Sequence, residues 1–350
     1  MNFYTRLAMV SVVAVLLIIA LYAIQPKSSP SVPSVSPKPD DLMGIVELDS
    51  KEGDWPKPSP LVPAHLSEEQ QRVFASLIRN LTLQEKAALL TGTPLVHGYT
   101  GYVEGISRLR IPPLVMNDGP QGFRGPVGTS TAWPCGMALA SSFSPGLVYQ
   151  IAKATGREFR TKGANVFLGP GLNVARIPVN GRNFEYISGE DPWLGKIMGF
   201  SYVSGIQSVP GIMATAKHYV NNEQETNRGS VNALIDLDVQ QQVYYPPFVG
   251  AIEAGSLSVM CSYNRINGHP GCSNAATLMR DLRSDFGFQG YVMSDWFATR
   301  DTVQVFFSSP PSTFTRILTQ FGPSTKKFIE RFGRSRCRNA HSVVLRTESN

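Results

Sequence analysis

Five apolar, strand-like runs that end in polar residues constrain the fold of this chain more than any other feature. The runs are LVMND (114–118), NVFLGPGLN (165–173), IMATAKH (212–218), SLSVMCSYN (256–264) and GYVMSDW (290–296). Amphipathic, helix-like segments separate them, and apolar strands that alternate with helices indicate a parallel sheet covered by helices. In a (β/α)8 barrel the carboxyl ends of the strands converge on one mouth, where the active site lies.

A doubly wound sheet is the alternative, because it also binds ligands at the carboxyl edge of its strands. That fold normally draws on fewer strands for its site, and this sequence contains no Gly-rich dinucleotide-binding loop. We therefore predict an α/β fold of the (β/α)8 type, a TIM-like barrel.

Composition divides the chain into four segments. The first, residues 1–25, contains an uncharged stretch at 7–24 that spans roughly 27 Å as a helix, close to the roughly 30 Å of bilayer hydrocarbon. This predicts an uncleaved signal-anchor or, alternatively, a cleaved signal peptide. Residues 26–65 are rich in Pro and Ser, which is typical of an extended stalk. The barrel is predicted over 66–302, and a basic tail over 303–350.

The net charge of +6 originates in the tail. Residues 303–350 hold eight Lys or Arg and two Asp or Glu, whereas the rest of the chain has 24 residues of each sign. The basic balance therefore gives no reason to expect that the barrel binds nucleic acid. The membrane is an expected partner through residues 7–24. We expect the barrel to be extracellular or lumenal, membrane-anchored, or secreted if the leader is cleaved.

Two local features concern the secretory pathway. Cys261 and Cys272 flank a turn-like segment, INGHPG, and an oxidising compartment would permit a disulfide between them, although the sequence leaves this pairing open. Asn80 begins the glycosylation sequon Asn-Leu-Thr. No spacing of Cys and His indicates a metal site, so we expect neither metal nor cofactor.

Asp295 and Trp296 follow the last apolar run. An Asp at a strand-to-helix junction often caps the next helix, which is the ordinary structural explanation. A tryptophan next to it favours a ligand site, because indole covers the apolar face of a sugar ring and its N–H donates a hydrogen bond.

Lys217 and His218 end the third run. Neighbouring residues on a regular strand point to opposite faces, so both reach one ligand only if the backbone bends, bulges or contains an unusual peptide. Otherwise Lys217 would be solvated and His218 a satisfied core residue. Asp118 offers a carboxylate that accepts two hydroxyls at once, unless it is a turn residue, and Arg176 offers a fork of donors. Together these groups suit a neutral, polyhydroxylated ligand.

The five segments in order resemble the N-terminal barrel domain of glycoside hydrolase family 3, in its β-glucosidase branch. They read LVMNDGPQGFR, LGPGLNVARIPVNGRNFEYISGEDPWLGK, ATAKHYVNNEQETNR, MCSYNRINGHPGCSN and GFQGYVMSDW. Each is weak alone, but the ordered series is specific and covers about two-thirds of the chain.

The resemblance implies a role for each matched residue. Asp295 matches the catalytic nucleophile of a retaining, exo-acting β-glucosidase, which acts on β-glucosides or short β-glucan oligosaccharides. Met260 and Trp296 match residues that flank the sugar subsite. The positions implied to hold the terminal sugar are Asp118, Arg176, Lys217, His218 and Tyr263. The alternatives are a β-xylosidase of the same family and a non-catalytic, membrane-tethered sugar-binding protein.

The sequence departs from the family pattern after residue 302. Family members usually place the second catalytic carboxyl in a second α/β domain. Here 54 residues follow Trp296, and their sequence does not match the family pattern. The resemblance therefore implies a barrel that is incomplete at its C-terminal end and an impaired enzyme. A gene-model artefact and a genuine short form are the two explanations of this tail.

Overall fold

The structure is a computed structural model that describes residues 68–299, apart from residues 91, 95, 96, 126 and 127. The predicted signal segment and basic tail lie outside this range, as does the stalk. In the part of the chain that is described, no helix is both long and apolar enough to cross a membrane.

Strands and helices alternate along the described chain. The strands are β1 (Thr93–Pro94), β2 (Gly101–Val103), β3 (Leu114–Asp118), β4 (Val166–Leu168), β5 (Met213–Tyr219), β6 (Asn232–Ala233), β7 (Ser258–Cys261), β8 (Arg265–Ile266), β9 (His269–Pro270) and β10 (Tyr291–Ser294). The α-helices are α1 (Glu68–Asn80), α2 (Leu83–Leu90), α3 (Gly136–Ala140), α4 (Pro145–Thr161), α5 (Pro192–Gln207), α6 (Leu237–Val239) and α7 (Pro246–Glu253). Short 3₁₀ turns occupy Ser107–Leu109, Asn183–Glu185 and Gly271–Ser273, and π-helices occupy Gln240–Tyr244 and Ala276–Asp285.

The main sheet is a curled part of a barrel. Its strand order is β1-β2-β3-β4-β5-β7-β10, in which β3, β4, β5, β7 and β10 run parallel and β1 and β2 extend one edge in antiparallel fashion. Each of the five predicted runs contains one of the parallel strands. The predicted (β/α)8-type fold is therefore confirmed, and residues 68–299 form part of the barrel. A separate small sheet joins β6, β8 and β9.

The parallel strands are apolar throughout because both faces of the sheet are buried. Alternate residues face the inside of the curled sheet, where α1, α2 and the β2–β3 segment add apolar side chains; these inner residues are Met116, Val166, Leu168, Met213, Met260 and Met293. The intervening residues face α4, α5 and α7, and include Phe167, Ala214, Ala216, Val259 and Val292. Burial of this kind supplies the dominant favourable free energy of folding.

Helix starts follow local sequence signals. Thr82 and Glu85 form a capping box, in which the Thr82 N–H donates to Glu85 Oε2 at 2.8 Å and the Glu85 N–H donates to Thr82 Oγ1 at 3.2 Å. Ser144 caps α4 and Asp191 caps α5, and each cap is followed by a proline at the first helical position, where no N–H is needed.

The outer helices approach one another through glycines. α4 packs on α5, and α5 packs on α7. A Cβ added at Gly250 would overlap the carbonyl oxygen and carbonyl carbon of Lys196 in α5, whereas a Cβ added at Gly146 in α4 would meet nothing within 4 Å. The α5–α7 contact therefore depends on the absence of a side chain at position 250.

Gly250→Ala should lower the free energy of unfolding by about 1–3 kcal/mol, because the new methyl group forces the backbone of α7 away from α5. Gly146→Ala is the matched control and should be neutral or slightly stabilising, since it gains helix propensity in open space. Urea unfolding followed by circular dichroism measures both. Equal stability of the two variants would contradict this account of the helix contact.

Candidate active site

Polar residues from four of the parallel strands meet at the carboxyl ends of the sheet. Asp118 ends β3, Lys217 and His218 lie near the end of β5, Tyr263 follows β7, and Asp295 follows β10. The register of β5 against β7 shifts between Ala216 and Tyr219, and the Lys217–His218 peptide is cis. An irregular backbone at this pair is what the sequence requires if both side chains reach the site.

Lys217 is the central cation of the site. Its side chain is 3% exposed, and its Nζ lies 3.0 Å from Asp118 Oδ1 and 3.0 Å from Glu185 Oε1. Burial alone would lower the pKa of Lys217, but the two carboxylates outweigh burial and the pKa is raised. Lys217 is therefore a permanent ammonium between two anions.

The two carboxylates stay ionised for the complementary reason. Burial opposes their charge, but Lys217 and the side chain of Arg124 lower the pKa of Asp118. Lys217 and Arg182 hold the pKa of Glu185 far below its ordinary value, with Arg182 donating from Nε at 2.7 Å and from Nη2 at 2.9 Å. Ionised carboxylates accept hydrogen bonds and cannot donate them.

His218 is neutral and held in place by its surroundings. Burial, followed by the nearby positive charges, lowers the pKa of His218 well below its ordinary value. Asn173 accepts from the His218 N–H at 2.8 Å and donates to the His218 carbonyl at 3.2 Å. The Nε2 atom lies 3.6 Å from Asp295 Oδ2, and Nδ1 lies 3.5 Å from the hydroxyl of Tyr186.

Asp295 lies in the interior, 7% exposed. Burial raises its pKa to about 6, against the opposing effects of Lys217, the Trp296 N–H, Arg182 and the Tyr263 hydroxyl. Its Oδ1 atom accepts from the Trp296 N–H at 2.7 Å. Asp295 is therefore an anion at neutral pH that is neutralised in mild acid.

Trp296 is fixed at the edge of the site. Its indole Nε1 donates to the Thr100 carbonyl at 3.2 Å, and the ring packs so closely on Gly101 that a Cβ there would come within 3.0 Å of it. Trp296 also packs against the inner core, to which the buried Met260 belongs. A broad aromatic surface thus stands beside Asp295 and packs on the same inner core that contains Met260.

Tyr263 connects Asp295 to a second group of charges. The guanidinium of Arg228 lies 4.2 Å from the centre of the Tyr263 ring and pairs with Glu225 at 2.7 Å. Glu225 in turn lies 3.6 Å from Arg182, which links this group to Glu185. Burial, then Asp295, raises the pKa of Tyr263, so its hydroxyl remains a proton donor and hydrogen bonds to Asp295.

Arg176 lies apart from this cluster. It is exposed, and its side chain hydrogen bonds to Tyr244 and acts electrostatically on Glu223. Arg182 is the guanidinium of the cluster, because it binds Glu185, which in turn contacts Lys217. The sequence signal that could have identified Arg182 is the segment GRNFE (181–185), where Arg182 and Glu185 have the spacing of an ion pair.

Glu223 is a further carboxyl that sequence reasoning did not single out. Its Oε1 accepts from Asn173 Nδ2 at 2.9 Å, and loss of hydration raises its pKa to about 8 although part of its surface is exposed. Because Asn173 also binds both backbone groups around His218, Glu223 supports the backbone that carries His218.

The remaining expectations concern residues outside the cluster. Cys261 and Cys272 are joined by a disulfide that ties the end of β7 to the segment after β9. Asn80 ends α1 on the surface. Among the described residues, no group of three or more His, Cys, Asp or Glu is arranged to hold a metal ion.

This chain is similar to known proteins in both sequence and fold. The family model for the glycosyl hydrolase family 3 N terminal domain matches residues 79–309. The probable beta-glucosidase M of Neosartorya fischeri is 41% identical over 232 residues, which are 63% of this chain and 30% of that protein. The beta-glucosidase of Rhizobium radiobacter is 38% identical over 234 residues, 65% of this chain and 28% of that protein.

Solved structures agree with this result. Beta-glucosidase 3B from Thermotoga neapolitana, in complex with glucose, has a TM-score of 0.67 and 32% identity, over 75% of this chain and 40% of that one. The beta-D-glucoside glucohydrolase of Trichoderma reesei has a TM-score of 0.64 and 35% identity, over 73% and 37%. The chain thus spans less than a third of the length of the curated relatives and about two-fifths of the solved ones. The family model covers well over half of this chain, and the chain belongs to glycosyl hydrolase family 3.

Proposed function

We propose that this barrel functions as part of a retaining, exo-acting β-glucosidase, which releases terminal non-reducing β-D-glucosyl residues. The observation that carries the proposal is a buried carboxylate, Asp295, placed at the strand ends beside a tryptophan and a cluster of fixed hydrogen-bonding charges. The glucosidase names of the relatives and the glucose bound in the Thermotoga structure support glucose as the sugar.

In the proposed reaction Asp295 attacks the anomeric carbon, the aglycone oxygen leaves with the bonding electron pair, and a covalent glycosyl-enzyme forms. Water then attacks the same carbon from the opposite side and releases Asp295. The positive charges of Lys217 and Arg182 favour the ionised nucleophile against its burial.

The other groups bind and orient the sugar. Asp118 accepts hydrogen bonds from neighbouring hydroxyls, while the ammonium of Lys217 and the guanidinium of Arg182 donate to hydroxyl oxygens. The neutral His218 offers one more hydrogen-bonding group beside Asp295, and the Trp296 ring covers an apolar face of the sugar. Because these groups are already paired with one another, little reorganisation is needed when a sugar enters.

Proton transfer to the aglycone is a separate requirement. Asp118 and Glu185 are held ionised by their cationic neighbours, so neither donates a proton at neutral pH. We therefore propose that these carboxylates bind sugar hydroxyls and that neither of them is the general acid. Neither Asp118 nor Glu185 is therefore expected to assist the departure of a poor leaving group.

Asp295 should be labelled covalently when the full chain is incubated with 2,4-dinitrophenyl 2-deoxy-2-fluoro-β-D-glucoside. Dinitrophenolate leaves without protonation, so the reagent tests the nucleophile independently of any general acid, and fluorine slows hydrolysis of the adduct. Because the pKa of Asp295 is about 6, the labelling rate should decline about tenfold per pH unit below that value. Peptide mass spectrometry locates the adduct.

Two variants make this labelling test specific. Asp295→Asn should give no adduct, and Asp285→Asn, which alters an exposed carboxylate, should be labelled at the original rate. Labelling of a different residue, or a rate that is constant across the acid range, would disprove the role of Asp295. Binding of glucose without any labelling would instead identify a non-catalytic sugar-binding protein.

Turnover should depend steeply on the leaving group. If neither Asp118 nor Glu185 donates the proton, methyl β-D-glucoside should lose the roughly 10²- to 10⁴-fold that general acid catalysis contributes, whereas dinitrophenyl β-D-glucoside should lose little. The measurement is kcat/KM for a series of aryl glucosides, plotted against the pKa of the leaving phenol. Azide, which attacks a glycosyl-enzyme without base assistance, should accelerate dinitrophenyl glucoside turnover. A flat plot would show that the chain supplies its own proton donor.

We also propose that the barrel is lumenal or extracellular, attached through residues 7–24 or secreted. The uncharged stretch, the surface position of Asn80 and the Cys261–Cys272 disulfide support this location.

When the full chain is expressed in eukaryotic cells, it should carry an N-glycan on Asn80 that an endoglycosidase removes, because the sequon is presented on the surface of a lumenal domain. Gel mobility and peptide mass spectrometry report the glycan. Asn80→Gln should abolish the mobility shift, and Asn227→Gln, at an exposed asparagine outside any sequon, should preserve it. An unglycosylated chain would contradict the proposed location.

A further inference from the structure

A cavity lies away from the strand-end cluster, the group of polar residues at the carboxyl ends of the parallel strands. It has a volume of about 250 Å³ and is bordered by both π-helices and by the small β6-β8-β9 sheet. None of the five strand-end residues Asp118, Lys217, His218, Tyr263 and Asp295 lines it. π-Helical turns are rare and occur frequently at functional sites, and here two of them border one cavity.

Gln240 is the residue of this cavity that the fold leaves unexplained. It lines the cavity and is 4% exposed, yet neither its amide oxygen nor its amide nitrogen has a hydrogen-bond partner in the described residues. Leaving such buried groups unpaired costs roughly 1–3 kcal/mol each. A molecule in the cavity that both donates and accepts hydrogen bonds would remove this cost.

The other amides that line the cavity are already engaged. Asn267 accepts from the N–H of Ile235 and donates to its carbonyl, each at 2.9 Å. Asn274 accepts from the N–H groups of Ala276 and Thr277 and donates to the carbonyl of Ile266. Gln240 is therefore the side-chain amide of this cavity that remains available to a ligand.

The charges of the cavity balance one another. Asp281 is 1% exposed and accepts from Arg280 Nε at 2.5 Å and from the Tyr245 hydroxyl. Because this carboxylate and this guanidinium neutralise each other, the cavity does not select a charged ligand. Ile235, Leu237 and Ile266 add apolar surface beside the polar groups.

We propose that this cavity is a second binding site for one neutral, hydroxylated molecule the size of a single sugar ring. Such a ring carries both donors and acceptors for Gln240 and has an apolar face for the aliphatic wall. The volume suits a molecule smaller than the drug-sized ligands that fill larger clefts. The site is independent of Asp295, so it exists whether or not the chain hydrolyses glucosides.

The test measures binding of methyl β-D-glucoside to the full chain by isothermal titration and ligand-observed NMR. Asp118→Ala weakens binding at the strand-end cluster, and in that background we expect a remaining site. Adding Gln240→Leu should weaken the remaining site at least tenfold, because it removes both amide groups. Adding Gln241→Leu, which alters an exposed neighbour, should leave binding unchanged.

A further variant separates lost contacts from lost folding. Ala276→Leu places a larger side chain at the rim of the cavity, where Ala276 is exposed, and should also weaken the remaining site at least tenfold. Gln240→Leu should keep or raise the unfolding midpoint, since it replaces an unsatisfied buried amide with an apolar group. The proposal is overturned if the Asp118→Ala chain binds no methyl glucoside, or if its affinity survives Gln240→Leu and Ala276→Leu.

Discussion

The buried ammonium of Lys217 is the interaction on which the site depends. A lone ammonium in this position would be driven to lose its proton, but Asp118 and Glu185 each approach Nζ to 3.0 Å and keep it charged. The three groups come from three separate parts of the chain, so their pairing fixes the end of β5 relative to β3 and to the turn at Asn183–Glu185. Removal of both Asp118 and Glu185 would leave the buried ammonium of Lys217 without a counter-charge at hydrogen-bond distance.

This arrangement also determines how the neighbouring groups titrate. Two cations, Lys217 and Arg182, favour ionisation of every nearby carboxyl, yet burial of Asp295 is strong enough to leave its pKa at about 6. His218, close to the same cations and fully enclosed, remains neutral. One cluster therefore holds permanent anions at Asp118 and Glu185 beside Asp295, a carboxyl that changes charge in mild acid.

The fold was predictable because both faces of the parallel strands are buried, which makes each strand a continuous apolar run that stands out in the sequence. Asp118, Lys217, His218 and Asp295 were predictable for a related reason, since polar residues that directly follow such runs meet at one edge. Arg182 was harder to find, because it lies in a loop, where the spacing of residues in the sequence does not determine which way a side chain points. Arg176 in the same loop was an equally suitable candidate. Gln240 and Glu223 gave no signal, because their burial depends on packing between distant segments.

The raised pKa of Asp295 has a consequence for the stability of the protein as a whole. The folded state binds this proton more tightly than the unfolded chain does, since the pKa rises from 3.8 to about 6 on folding. The contribution of Asp295 to the free energy of unfolding is therefore fully present below pH 4. It is lost progressively as the pH rises through 6, and the loss amounts to roughly 3 kcal/mol in total. Glu223, with a pKa of about 8, acts in the same direction over a higher range. At neutral pH the buried charge of Asp295 therefore lowers the stability of the folded barrel, and the free energy gained by burying the surrounding core has to offset this cost.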